Sequence, residues 1–327
     1  MERLKAPALA SARVPHCPHG QEKPGSRFLA EMQCEHQLGH GRNIKQKAGF
    51  LPSPFGEGAE PGPRNHGESE MQEMGDGVVD LLAFGAHPDD IEVGCGGLLI
   101  KLRQRGYRCG LVILTQGEMG TGGSVELRKQ EVIDAANIMG ADVLAHLDMG
   151  DCRLEDNYES RLVAARFIRK HKPKIVLAPW YGGGHGKRAS HPDHIACGRI
   201  VMNAANFATL KKLPLDEPPY VIGALFHYFL PPEVSPTFIV DITEEFDGWI
   251  SALSAHKTQF LNPEKNRDYL WFLESMARGY GGQIGVKYGQ AYAIGEPLKI
   301  EDPFCLVGSC SRIPEFFIAK KARGEEL

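Results

Sequence analysis

Val78-Val79-Asp80-Leu81-Leu82-Ala83-Phe84-Gly85-Ala86 runs directly into His87-Pro88-Asp89-Asp90-Ile91-Glu92-Val93-Gly94-Cys95-Gly96-Gly97, and this stretch decides the fold class. Its first nine residues are almost wholly apolar, which predicts a strand over Val78 to Ala86. The polar cluster and the glycines that follow hand the chain to a helix expected from Gly97 to Gln104. The alternation continues outward with a strand over Gly110 to Thr115, a helix over Val125 to Met139 and a weaker strand around Val143 to Leu147. A helix over Ser160 to His171, a strand over Lys174 to Ala178 and a helix from Pro192 to Ala205 come next. Two strand-like runs, Val221 to Leu230 and Thr237 to Ile242, precede helices near Glu244 to Phe260 and Glu264 to Arg278. Strands alternating with helical periods read as βαβ units around a mostly parallel sheet.

Composition narrows the function classes. The chain has 327 residues, 42% hydrophobic and 24% charged, with a net charge of -4 at pH 7. It lacks the basic excess that non-specific nucleic-acid binding requires, so no nucleic-acid partner is expected. No apolar run approaches the roughly 18 to 20 residues that span a bilayer, and no membrane partner is expected. The apolar stretch Ala6 to Val14 is short and is broken by Arg13, unlike a secretory signal. Eight cysteines without a C-x-x-C pair fit reduced thiols and a cytoplasmic location. Residues 1–75 differ from the rest: 18 are Gly or Pro, nine are basic, nine are acidic, and no period persists. They read as a disordered or loosely attached extension, with one catalytic domain over 76–327.

The chemistry-bearing residues fall in two clusters, each where a strand meets a helix. The first is His87-Pro88-Asp89-Asp90, and the second is His191-Pro192-Asp193-His194. Ligands of open α/β sheets gather at the carboxyl ends of strands, so both clusters sit where a site belongs. His87 and Asp90, three apart on a turn that Pro88 stiffens, suit convergence on one divalent ion, with a histidine of the second cluster completing the set. Asp89 leaves the backbone in another direction and suits proton transfer from water. Spacing alone does not choose between His191 and His194 as the third ligand.

Ala86-His87-Pro88-Asp89-Asp90-Ile91-Glu92-Val93-Gly94-Cys95-Gly96-Gly97 and His191-Pro192-Asp193-His194 resemble, in order, two signatures of the PIG-L/LmbE-like zinc-dependent N-acetylglucosaminyl deacetylases. Gly117-Glu118-Met119-Gly120-Thr121 followed by Arg128 resembles a third. His256-Lys257-Thr258-Gln259-Phe260 and Gly285-Val286-Lys287-Tyr288-Gly289 look like the branch that contains bacillithiol-biosynthesis deacetylases. The resemblance covers about residues 77–298. It implies a Rossmann-like three-layer sandwich, with His87, Asp90 and His194 as zinc ligands and Asp89 as general base. It also implies His191 as the electrophilic or general-acid histidine, stabilising an oxyanion in its protonated form, with Asp193 orienting that imidazole. The implied substrate is a small amino sugar, N-acetylglucosaminyl malate being favoured over mycothiol precursors and chitobiose-like sugars. The implied assembly is a homo-oligomer. Two histidines and one carboxylate also suit ferrous iron.

Further residues are expected to contact substrate. Arg128, early in a helix, is expected to present its guanidinium fork to a substrate carboxylate. Tyr280 and Tyr288 are equal candidates for a tyrosine near the carboxyl terminus. The second signature is preceded here by the glycine-laden segment Tyr181 to Ser190, from which Lys187 or Arg188 is placed to reach substrate. The glycines at 94, 96 and 97 lack the G-x-G-x-x-G spacing of a dinucleotide loop, and close packing is their simpler role.

Overall fold

The computed structural model describes residues 77–183, 190–261, 268–297 and 301. The expected extension over 1–75 and Arg188 lie outside the described residues. Seven strands form one sheet in the order β3-β2-β1-β4-β5-β7-β6. In chain order they are β1 (Leu81–Gly85), β2 (Cys109–Ile113), β3 (Asp142–His146), β4 (Ile175–Pro179), β5 (Ala224–Tyr228), β6 (Phe238–Asp241) and β7 (Gly289–Ile294). The helices are α1 (Asp90–Gln104), α2 (Val125–Met139), α3 (Tyr158–His171), α4 (Pro192–Phe207), α5 (Phe246–Ala255), α6 (Lys257–Phe260) and α7 (Tyr269–Ile284). β1 to β5 run parallel, and β7 pairs antiparallel with both β5 and β6. The expected mostly parallel α/β sandwich is the one observed.

Side-chain alternation along β1 separates the two layers, as the two-residue period of a strand requires. Leu81 and Ala83 enter a core with Ile91, Leu99, Val132, Trp249 and Tyr292, while Leu82 and Phe84 enter a second core with Phe167, Ile168, Ile200 and Val201. Helices therefore cover both faces: α1, α2, α5 and α7 on one, α3 and α4 on the other. β1 pairs with β2 on one side and β4 on the other, Leu81 facing Cys109 and Ile175. The chain reverses its direction of travel across the sheet at this pair, which makes the β1–β4 edge the topological switch point. Both sequence clusters follow these two strands.

Three elements differ from expectation. α1 begins at Asp90 rather than Gly97, although Gly94, Gly96 and Gly97 each weaken a helix interior. Tertiary packing overrides that preference. A Cβ at Gly94 would overlap the Tyr228 ring, one at Gly96 would meet Trp249 at 2.9 Å, and one at Gly97 would meet Ile242 at 3.0 Å. These glycines let α1 lie against neighbouring side chains, the close-packing role expected of them. The helix expected over Glu244 to Phe260 is divided at His256 into α5 and α6. β7 was not expected: Gly289-Gln290-Ala291-Tyr292-Ala293-Ile294 has weak strand preference and is held by partners on both sides. Among the described residues no helix is long and apolar enough to cross a membrane.

Gly94→Ala is expected to destabilise the protein by about 1–3 kcal/mol by forcing the Tyr228 ring out of place. Urea unfolding measures this, and an unchanged midpoint would mean that the ring yields freely.

Candidate active site

The turn after β1 is built by Asp90. Its Oδ2 accepts hydrogen bonds from the backbone N–H groups of Ala86 and His87, both at 2.9 Å. Asp89, just before α1, has φ 119°, a left-handed conformation that non-glycine residues adopt only at a cost. Arg128 of α2 holds this turn from the side, with Nη2 donating to the Pro88 carbonyl at 2.9 Å and Nη1 to the Gly117 carbonyl at 2.7 Å. The same Nη2 lies 3.8 Å from Asp89 Oδ2. At the other strand, His191 caps α4 and Pro192 occupies its first turn, where a missing N–H costs nothing.

The two turns meet. His194 Nε2 lies 3.0 Å from Asp90 Oδ1 and 3.3 Å from His87 Nδ1, and His87 Nδ1 lies 3.5 Å from Asp90 Oδ2. Bonds of about 2.0–2.1 Å in a tetrahedral arrangement put neighbouring donor atoms about 3.4 Å apart. The two imidazoles stand near that spacing, and Asp90 faces His194 with Oδ1 and His87 with Oδ2; His87, Asp151 and Asp193 form a further trio of donors within 4.8 Å of one another. His191 is a close neighbour, its ring centroid 4.8 Å from that of His87. Ring nitrogens of His87, His191 and His194 also fall within 4.8 Å of one another, so the geometry brings both histidines of the second cluster to His87.

The second nitrogen of His87 faces carboxylates. Nε2 lies 3.2 Å from Asp193 Oδ2 and 3.2 Å from Asp151 Oδ1. Burial works against a charge on His87, but Asp151, Asp193 and Asp90 outweigh it and push its pKa up to about 12. Asp90 moves the other way: burial would raise it, yet His194 and His87 hold it well below the usual carboxylate range. Burial pushes Asp89 up to about 6 against the pull of the Arg128 guanidinium. Burial, with the nearby His87 and His194, lowers His191.

Several expected roles change. The Asp193 carboxylate does not turn to His191; its Oδ2 faces His87 and accepts the Cys152 N–H at 2.6 Å. Only the Asp193 backbone N–H reaches His191, donating to Nδ1 at 3.2 Å. In that bond Nδ1 is the acceptor, which leaves Nε2 as the nitrogen free to face a ligand. Arg128 is 5% exposed and its terminal nitrogens are engaged by Pro88 and Gly117, rather than open to a substrate anion. The Tyr288 hydroxyl bonds Glu274 and Arg278 of α7. Tyr280 shares no hydrogen bond or ring contact with the cluster among the described residues. Asp151 was missed: it follows β3 in Gly150-Asp151-Cys152, where no pattern distinguishes it from an ordinary turn acid. Its Oδ2 accepts the Met119 N–H at 2.9 Å, and its own N–H donates to Glu118 Oε1 at 2.7 Å.

A parallel α/β sheet with imidazoles and a carboxylate converging at its switch point defines a metal-dependent enzyme of the open-sheet class. The sequence pattern described as PIG-L: GlcNAc-PI de-N-acetylase matches residues 82–205. The diacetylchitobiose deacetylase of Thermococcus kodakarensis is 32% identical over 231 residues, covering 65% of this chain and 82% of that protein. A probable N-acetyl-alpha-D-glucosaminyl L-malate deacetylase 2 of Bacillus subtilis is 30% identical over 191 residues, covering 55% of this chain and 82% of that protein. Among solved structures, the conserved protein TT1542 of Thermus thermophilus is similar at a TM-score of 0.62 and 34% identity, covering 68% of this chain and 97% of that one. The chain belongs to the PIG-L family and is a metal-dependent N-deacetylase.

Arg128→Met keeps much of the buried length but leaves the Pro88 and Gly117 carbonyls without donors, and is expected to cost about 1–3 kcal/mol. Chemical denaturation reads this, and a loss below a few tenths of a kcal/mol would show that water replaces the guanidinium.

Proposed function

We propose that this chain removes the N-acetyl group from an N-acetylglucosamine conjugate, with His87, Asp90 and His194 holding one divalent metal, zinc by preference. The convergence of those three side chains at donor spacing carries the reading. A divalent ion held there supplies Lewis-acid activation of water and of the amide carbonyl. Asp193 and Asp151 fix the His87 ring by accepting from Nε2, as carboxylate partners of ligand histidines do. Asp89, free of the donor set and beside Arg128, takes the proton from the attacking water and returns it to the departing amine. His191, its Nδ1 held by the Asp193 N–H, directs Nε2–H at the oxygen that gains charge as the carbonyl is attacked. The products are acetate and a free amino sugar.

The finer choice of substrate moves away from malate. A malate-bearing sugar called for an available Arg128 fork, and that fork is engaged by two backbone carbonyls. We therefore favour a neutral glycoside of the kind named for the Thermococcus relative, diacetylchitobiose.

Amine release from N,N′-diacetylchitobiose and from N-acetylglucosaminyl malate tests both levels. We expect a higher kcat/KM for the chitobiose, abolition by chelator and restoration by added zinc. Turnover that survives complete metal removal would overturn the metal assignment, and restoration by ferrous iron alone under anaerobic conditions would overturn zinc. Asp89→Asn is expected to lower kcat by about 10²–10⁴-fold with metal content unchanged. Near-normal turnover would remove Asp89 as the base.

A further inference from the structure

The turn His256-Lys257-Thr258-Gln259-Phe260 contributes nothing to the donor set, yet it is bonded to both of the elements that flank the site. Thr258 donates twice to one carboxylate of α2: its N–H to Glu131 Oε1 at 2.9 Å and its hydroxyl to Glu131 Oε2 at 2.7 Å. Glu131 is 3% exposed, so these are buried, charge-assisted bonds. Gln259 Nε2 donates to the Gly122 carbonyl at 2.9 Å and to Thr258 Oγ1 at 3.0 Å. Gly122 and Gly123 pack so tightly on Thr258 that neither position has room for a Cβ; at Gly123 one would lie 2.7 Å from Thr258 Cγ2. Gly123 also has φ +77°, which favours glycine. At the head of the turn, fully buried His256 brings Nε2 to 3.4 Å from Glu92 Oε1 on α1.

The loop so held, residues 117–123, borders the active site at its other end. The Gly117 carbonyl receives Arg128, and the Met119 N–H donates to Asp151, whose other oxygen faces His87. Arg128 and Glu131 stand one helical turn apart on α2, so the same face of that helix presents one side chain to the front of the loop and one to the turn behind it. Loss of the rear bonds leaves the loop held by its run into the α2 cap at Ser124 and by the bonds at its active-site end, without the side support of Gln259 and the packing of Thr258.

We propose that Thr258 and Gln259 are positioning residues that clamp the loop over residues 117–123 against the active site and thereby set how firmly the acetamido sugar is seated. This rests on the deacetylase reading above for the identity of the substrate, while the clamp itself rests on the hydrogen bonds. Neither residue touches the reacting atoms. Removal of the clamp therefore acts on substrate binding more than on the chemical step, and it mobilises one loop rather than the core.

The test uses the full-length, zinc-loaded protein and compares Thr258→Val, Gln259→Ala and Thr258→Ser with the wild type. Amide hydrogen exchange followed by mass spectrometry reads the loop, and amine release from N,N′-diacetylchitobiose reads KM and kcat separately. Thr258→Val and Gln259→Ala are each expected to speed exchange over 117–123 by about 10-fold, to raise KM by about 10-fold and to leave kcat little changed. Exchange in β1 and β2 stays at the wild-type level. Thr258→Ser keeps the hydroxyl and behaves as wild type. Unaltered exchange over 117–123, faster exchange with KM unmoved, or protection lost evenly through the core would each overturn the proposal. A wild-type protein that releases no amine from any N-acetyl sugar would sink the deacetylase reading and with it the role in seating the sugar, while the exchange data would still decide whether the clamp exists.

Discussion

The centre of this molecule is organised around a concentration of negative charge. Asp90, Asp151 and Asp193 all approach the single imidazole of His87, and Asp89 lies next to Asp90 along the chain. Burying several carboxylates together is costly unless a positive charge joins them. The carboxylates of Asp151, Asp193 and Asp90 push the His87 pKa up against the effect of burial. A divalent ion held there, as proposed above, would neutralise more of that charge. The acids therefore do two things at once: they favour a positive charge beside them, and they hold the His87 ring in place.

The strain at Asp89 is held by the same surroundings. A left-handed aspartate persists only where its neighbours over-determine it. Here Asp90 ties the turn from the front through two backbone N–H groups, and Arg128 ties it from the side through the Pro88 carbonyl. The result separates two adjacent carboxylates by direction: Asp90 turns back into its own turn and toward His194, while Asp89 is left 20% exposed beside a guanidinium. Two neighbouring acids in one motif thus acquire different environments, the usual way a site obtains different functions from like groups. Arg128 belongs to this support, which gives a buried, fully charged side chain a reason to sit beneath an active site.

The scaffold makes such precision affordable because the site lies on element ends rather than on free loops. β1 and β4 are neighbours in the centre of the sheet, each covered by helices on both faces; the turn after β1 opens straight into α1, and α4 begins at Pro192 after a longer connection from β4. The glycines of α1 let Tyr228 and Trp249 press against it, and Tyr228 returns a hydrogen bond to the Phe84 carbonyl at 2.7 Å, one residue before the end of β1. Core packing is thereby continuous with the geometry of the first motif.

The amino-acid sequence determined the class of fold and the two clusters, because both depend on local pattern. Apolar runs alternating with helical periods mark βαβ units, and the residues of the two signatures are contiguous in the chain, so His87, Asp89, Asp90, His191 and His194 were legible at once. It did not reveal Asp151, the direction of the Asp193 carboxylate, the engagement of Arg128, or β7. Each of these is set by partners far away along the chain: Asp151 reaches His87 by way of β3, Arg128 meets Pro88 across 40 positions, and β7 exists as a strand because β5 and β6 offer it hydrogen bonds. Local pattern reports which groups are present and which element carries them. Only the folded chain decides what each charged group faces, because electrostatic and hydrogen-bond partners are chosen by proximity in space, and the sheet brings together residues that the sequence keeps apart.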